Sequence, residues 1–127
     1  MVGTMKVGTN EANPGGIGPE LQASTIFDLL SDQRRRYVLH YLTRRIGAVN
    51  VGEVAEQIVL WEDEPTRDRY ERVCTALVHT HLPKLRDAGV VDYCPALETV
   101  GVRDDADRLA PYLRLAASDD FRSTTPP

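Results

Sequence analysis

The sequence predicts a mainly α fold carrying one small β-hairpin, an α+β arrangement, and three observations lead there. A long amphipathic stretch ends in Leu85-Arg86-Asp87-Ala88-Gly89, the signature of a helix with a glycine stop. Two β-prone runs follow at once, Val90-Val91-Asp92-Tyr93-Cys94 and Glu98-Thr99-Val100-Gly101-Val102, joined by a turn at Pro95-Ala96. Two helical patterns precede this unit and one follows it.

The first helical pattern is split. Thr25 to Leu30 reads as a short apolar turn or helix, and Ser31 or Asp32 then caps a longer helix through Arg45, ended by Gly47. Its apolar side is Val38, Leu39, Leu42 and Ile46, with Tyr37 and Tyr41 beside them, while Arg36, His40, Thr43 and Arg44 face away. Asn50 and Glu53 form a capping-box pattern at the start of the second helix, with Val49 and Val54 placed as a hydrophobic staple. Val51, Val54, Ala55, Ile58 and Trp61 make its core stripe, and Pro65 ends it.

The third helix starts near Thr66. Tyr70, Val73, Cys74, Leu77, Val78, His81, Leu82, Leu85 and Ala88 share one side of the helical wheel. Arg72, Thr75, Ala76, His79, Pro83 and Arg86 share the other. Pro83 conflicts with the pattern, because it removes a backbone bond and bends a helix, or it marks where one helix stops. After the hairpin, Asp104 or Asp105 caps a last helix through about Ala117, with Leu109, Leu113 and Ala116 as a narrow stripe that Tyr112 and Leu115 broaden. This order of elements is that of a winged helix-turn-helix, in which the third helix is the one that enters a DNA major groove. The expected organisation is a flexible N-terminal tail over 1–23, the folded domain over 24–117 and a flexible C-terminal tail over 118–127.

Composition narrows the function classes. The chain has 127 residues, 42% hydrophobic and 27% charged, as expected of one soluble globular domain. No apolar run reaches the roughly 18 residues that span a membrane, and Met1 to Pro19 lacks the apolar core of a secretory signal, so a cytoplasmic protein is expected. Cys74 and Cys94 lack the paired spacing of a zinc site and read first as small buried hydrophobes, with a redox or metal role as the alternative. No Gly-rich phosphate loop, nucleophile elbow or His-Glu metal motif is found, so neither an enzyme nor a cofactor is expected. The net charge is −4, unevenly spread. Residues 24–45 carry +3 and 66–88 carry +2, whereas 50–65 carry −5 and 89–127 carry −3. Basic first and third helices suit a nucleic-acid binder, although the total is acidic. Low Lys with an acidic total is a haloadapted composition.

Individual residues follow from this frame. Arg67, Arg69 and Arg72 open the third helix and are the expected phosphate contacts, helped by Arg36. Thr75, Ala76 and His79 are expected nearest base edges. Arg34-Arg35-Arg36 is the densest basic run, and its three side chains point in different directions, so phosphate contact competes with ion pairing to the acidic second helix. His81 and Trp61 read as core residues. The last helix is expected to pair with a second copy through Leu109, Tyr112, Leu113 and Ala116.

The segments Leu30 to Leu42, Val51 to Ile58 and His81 to Val91 resemble the first helix, second helix and recognition-helix end of ArsR-like winged-helix regulators. The likeness covers about Thr25 to Ala117 and is nearest to a group of haloarchaeal winged-helix domains of unassigned function. The resemblance implies a DNA-binding transcriptional regulator, a homodimer through its terminal helices, acting on double-stranded DNA without metal sensing. The cysteine pair and the His/Asp ligand set of metal-sensing relatives are missing, and the wing tip Pro95-Ala96-Leu97-Glu98 has no Arg or Lys. The alternative reading is a dimeric winged-helix interaction module that does not bind DNA.

Overall fold

The computed structural model describes residues 21–121. It is mostly helical, with a small three-stranded antiparallel sheet. Helices α1 (Ala23–Leu30) and α2 (Gln33–Leu42) are followed by strand β1 (Val49–Asn50) and helix α3 (Val51–Trp61). Then come α4 (Arg67–Ala76), a π turn (Leu77–His81) and α5 (Leu82–Asp87). Strands β2 (Val91–Cys94) and β3 (Thr99–Val102) form the hairpin, and a 3₁₀ segment (Asp104–Leu109) leads into α6 (Ala110–Asp120).

Local chemistry places the helix starts where the sequence puts them. Asp32 caps α2 by accepting from the Arg35 N–H at 3.1 Å, and Thr66 caps α4 by accepting from the Arg69 N–H at 3.1 Å. Asn50 caps α3, but its Oδ1 accepts from the Gly52 N–H at 2.8 Å. Glu53 accepts from the Tyr41 hydroxyl, which ties α3 to α2.

Helix α2 stops at Leu42, short of Arg45, because its last turn tightens. Arg44 and Arg45 donate three residues back, to the Tyr41 and Leu42 carbonyls, and Thr43 Oγ1 donates to the Leu39 carbonyl. Ile46 therefore falls off the helical register and is fully exposed instead of joining the core. The short strand β1, unmarked in the sequence, pairs with β3 through Val49 opposite Val100, giving the order β1-β3-β2. Gly101 allows this pairing: a Cβ there would lie 3.2 Å from the Ala48 Cα and 3.3 Å from the Gly47 carbonyl.

The expected single third helix is three segments. The conflict at Pro83 is resolved upstream, where the Leu82 N–H bonds to the Leu77 carbonyl, five residues back. Proline has no N–H, and its ring clashes with the carbonyl four residues before it in a regular helix. A wider turn just ahead of it accommodates both defects. The same turn shifts the register, so Val78, expected on the apolar side, is 42% exposed.

The core runs from Leu21 to Phe121 and is formed by all the helices and the sheet. It overturns three expectations. Leu109 and Leu113 are buried in this chain's own core, not presented to a second copy, because α6 packs on α2. Residues 118–121 belong to the fold: α6 continues to Asp120, and Phe121 packs on Trp61, Tyr37 and His40 with ring centroids 4.9–5.7 Å apart. Leu21 is buried too, so the domain begins before residue 24. Residues 1–20 and 122–127, the rest of the two expected tails, lie outside the described residues.

Of the side chains expected to meet water, Arg36 and His40 are covered by the end of α6, while Thr43 and Arg44 are exposed as expected. Asp120, with 1% of its side chain exposed, receives Arg36 Nε at 2.9 Å and Nη2 at 2.9 Å, and His40 Nε2 at 3.0 Å. The Tyr37 hydroxyl donates to the Asp120 carbonyl at 3.2 Å. Burial pushes the Asp120 carboxyl upward, but the hydrogen bonds and charges of Arg36 and His40 outweigh it and hold it below the usual carboxylate range. Burial pulls His40 below the ordinary imidazole value despite Asp120, so neutral His40 donates its Nε2–H to a carboxylate whose charge partner is Arg36.

These contacts give two expected outcomes. Gly101→Ala should lower stability by about 1–3 kcal/mol, as backbone cannot yield as a flexible side chain does; an unchanged denaturant midpoint would refute the tight approach. Asp120→Asn should cost about 3–5 kcal/mol, because it strands Arg36. Both Asp120 and His40 bind protons less readily when folded. Stability should therefore be full above pH about 6.5, decline as the imidazole is forced to protonate, and fall again below about 3.9 as Asp120 is titrated. Urea melts from pH 2 to 8 read this directly, and a flat profile would contradict it.

Candidate nucleic-acid interface

The outer face of α4 and the π turn is a polar surface open to solvent. Arg67, Arg72, Thr75, His79 and Thr80 are exposed and Ala76 is half-buried. A shallow open depression of about 420 Å³ runs along this face, lined by Arg72, Thr75, Ala76, His79 and Thr80 with Asp68 and Glu71 at one end. The inner side of this segment, Val73 and Leu77, and Leu82 and Leu85 of α5 after it are completely buried and fix its orientation.

The expected contact residues divide into two groups. Arg72, Thr75, Ala76 and His79 lie together on this face, and exposed Arg67 flanks it at the start of α4. Arg67 pairs with Glu71 at 3.5 Å and Arg72 with Asp68 at 3.1 Å, both within one turn and both largely solvated. Such pairs are weak and screened by salt, so either guanidinium is free to exchange its carboxylate for another anion. Thr75 Oγ1 donates to the Glu71 carbonyl at 3.0 Å.

Arg69 and Arg36 are placed elsewhere, and their assignment as phosphate contacts is corrected. Arg69 donates to Glu62 at 3.1 Å and Glu64 at 2.6 Å, pinning the start of α4 to the end of α3. Arg36 spends all three guanidinium nitrogens on Asp120 and the Leu30 carbonyl. The rest of the basic run is equally committed. Arg34 forks onto Glu62 at 2.6 and 3.0 Å, which holds its pKa above the usual arginine value. Arg35, 7% exposed, donates to the Leu29 and Asp28 carbonyls at 2.7 and 3.0 Å and to His81 Nδ1 at 3.3 Å.

Thr80 is the residue that the sequence reading missed on this face. Pro83 was the signal for it, since a helix distorted ahead of a proline shifts the residues just before. Among the other expected contacts, Tyr112 packs edge-on against Phe27 of α1 with centroids 5.7 Å apart, and Ala116 is half-buried. Phe27 and Leu115 are the exposed apolar side chains at that end, 59% and 78%. The hairpin tip at Pro95 to Glu98 is exposed and carries no cation, and Arg103 on its far side pairs with Asp92 at 2.8 Å.

Cys74 and Cys94 are free and half-buried. Among the described residues, no group of three or more His, Cys, Asp or Glu is placed to hold a metal ion, and no helix is long and apolar enough to cross a membrane.

No curated protein and no solved structure matches the chain. A family model described as a domain of unknown function, DUF7344, matches residues 27–101, from α1 to β3. That span contains the Arg34–Arg36 run, the outer face of α4 and the π turn, and it leaves out α6. With more than half of its length matched, the chain belongs to the DUF7344 domain family.

Proposed function

We propose that this chain is a winged-helix DNA-binding transcriptional regulator that lays the outer face of α4 and the π turn into the major groove. The observation that carries the reading is that face itself: uncovered, set on a rigid apolar base, and combining exposed Arg67 and Arg72 with short polar side chains. A major groove admits a helix, and small residues such as Thr75, Ala76 and Thr80 let its backbone come close to base edges. His79 brings a donor and an acceptor to the same place. Arg67 and Arg72 exchange Glu71 and Asp68 for phosphates. The resemblance of the α2, α3 and α5–β2 segments to ArsR-like regulators supports the same assignment, with the β2–β3 hairpin as the wing.

The regulator acts as a homodimer in this reading. Phe27, Tyr112, Leu115 and Ala116 form the contact, in place of the buried Leu109 and Leu113. A second reading, an interaction module without DNA binding, is favoured by one observation: Asp68 and Glu71 neutralise Arg67 and Arg72 on the face itself.

Selection of bound fragments from random DNA, followed by a salt series, separates the two. Arg72→Ala should weaken binding to selected and random DNA alike and flatten the log–log salt slope by roughly one unit. His79→Ala should leave that slope alone and alter which sequences are preferred. Arg69→Ala should lower thermal stability, as it unpins α4 from α3, without changing the salt slope of the protein that remains folded. If neither Arg72→Ala nor His79→Ala changes binding, the interaction-module reading replaces this one.

A further inference from the structure

His81 is a buried titratable group with no part in the DNA contact. It ends the π turn and faces inward, 7% exposed, while His79 and Thr80 of the same turn face out. Its Nδ1 lies 3.3 Å from Arg35 Nη1. A guanidinium only donates, so Nδ1 must be the bare acceptor. The ring proton then sits on Nε2, which faces Asp32 Oδ1 at 3.8 Å.

The surroundings fix this arrangement. The Arg35 guanidinium cannot retreat, because Nε and Nη2 are held by the carbonyls that end α1. From α2, Arg34 and Arg35 oppose a charge on His81 and Asp32 favours it. Asp32 Oδ1 also accepts the Arg35 N–H that caps α2, and at 3.8 Å it is beyond hydrogen-bond distance of the ring. From α1 the carboxylate of Asp28 is taken by Lys84 of α5 at 2.8 Å. Burial is the largest influence and pulls His81 below the ordinary imidazole value, with Asp32 opposing it and the two arginines adding to it.

Protonation leaves His81 with two N–H donors and no acceptor. In the observed orientation the new Nδ1–H would point at an N–H of Arg35, with two like charges in contact, and a flipped ring would put a C–H there and still leave that guanidinium nitrogen without an acceptor. The imidazolium has to leave, and the segment it belongs to is the irregular turn, not a regular helix.

We propose that His81 and Arg35 form a proton-operated lock on the π turn: the neutral imidazole holds the turn against α2, and the imidazolium releases it and changes how His79 and Thr80 are presented. The effect on DNA rests on the reading above, whereas the lock does not.

Amide exchange followed by NMR on the full chain, corrected for intrinsic rates, tests the lock between pH 7.5 and 5. The Leu82 amide, which closes the π turn, should lose protection by a factor approaching ten per pH unit below about 6.5. Ile58 within α3 should lose protection only as far as global stability, read by the urea melts, falls over the same range. His81→Gln keeps an acceptor for Arg35 at every pH and should reduce the Leu82 loss to that of Ile58. His40→Gln, which removes the other buried histidine, should leave the Leu82 profile as in the unaltered protein. The unaltered protein alone should also show His81 as the Nε2–H tautomer at pH 7.5, a reading that does not depend on any variant folding. A Leu82 loss no steeper than that of Ile58 in the unaltered protein, a steeper Leu82 loss that persists in His81→Gln, or the Nδ1–H tautomer would each overturn the lock. Binding to a selected DNA fragment should weaken over the same pH range only where His81 is present. If the chain binds no DNA at any pH while Leu82 behaves as expected, the DNA reading fails and the lock stands. If it binds DNA with a flat Leu82 profile, the reverse holds.

Discussion

Three consecutive arginines on one helix hold this domain together. Arg34, Arg35 and Arg36 leave α2 in three directions and each is spent on a different neighbour. Arg34 reaches Glu62, which also receives Arg69, so one carboxylate joins α2, α3 and α4. Arg35 closes the exposed carbonyl end of α1 and reaches the π turn through His81. Arg36 fastens α6 by way of Asp120. Buried charges of this kind add little net stability when fully paired, but losing a partner is costly. Their effect is to make one packing of the helices far better than any other.

That constraint separates architecture from function on the surface. A basic run in the sequence is an obvious candidate for phosphate, yet here it faces inward and is neutralised by carboxylates and carbonyls. The cations left in solvent on the α4 face, Arg67 and Arg72, are few and share that face with two acids. In the reading proposed, affinity through charge is modest, and discrimination falls to short side chains on a well-supported helix. An acidic total charge then suits solubility without opposing the contact at close range.

Much of the fold was legible. The caps at Asp32 and Asn50, the start of α4 near Thr66, the hairpin and the apolar faces of α3 and α4 all follow from local chemistry that acts within a few residues. What was not legible depends on distant partners. The polar face of α2 could not be read as buried, because its cover, Asp120 and Phe121, lies in a stretch that resembles a tail. Strand β1 exists only because Gly101 admits the Gly47–Ala48 backbone. Leu109 and Leu113 form a stripe that fits either a partner or a core, and periodicity does not say which. Of the candidate site, the residues on the outer face were found by helical phase alone. Arg36 and Arg69 were misplaced because ion pairs between elements leave no trace in spacing, and Thr80 was hidden by a change of helical pitch.

The fastening of α6 bears on how the chain is made. Arg36 and Asp120 are 84 positions apart, so a growing polypeptide exposes α2 long before its counter-charge exists. Until residue 120 clears the ribosome, Arg36 and His40 have no carboxylate, and Tyr37 and Trp61 lack the ring that covers them. Closure of such a distant contact is slow relative to local helix formation. The nascent domain should therefore wait in an open form, with α2 to β3 assembled and one side of α2 wet, and the final turn should convert it to the closed form in a single late step.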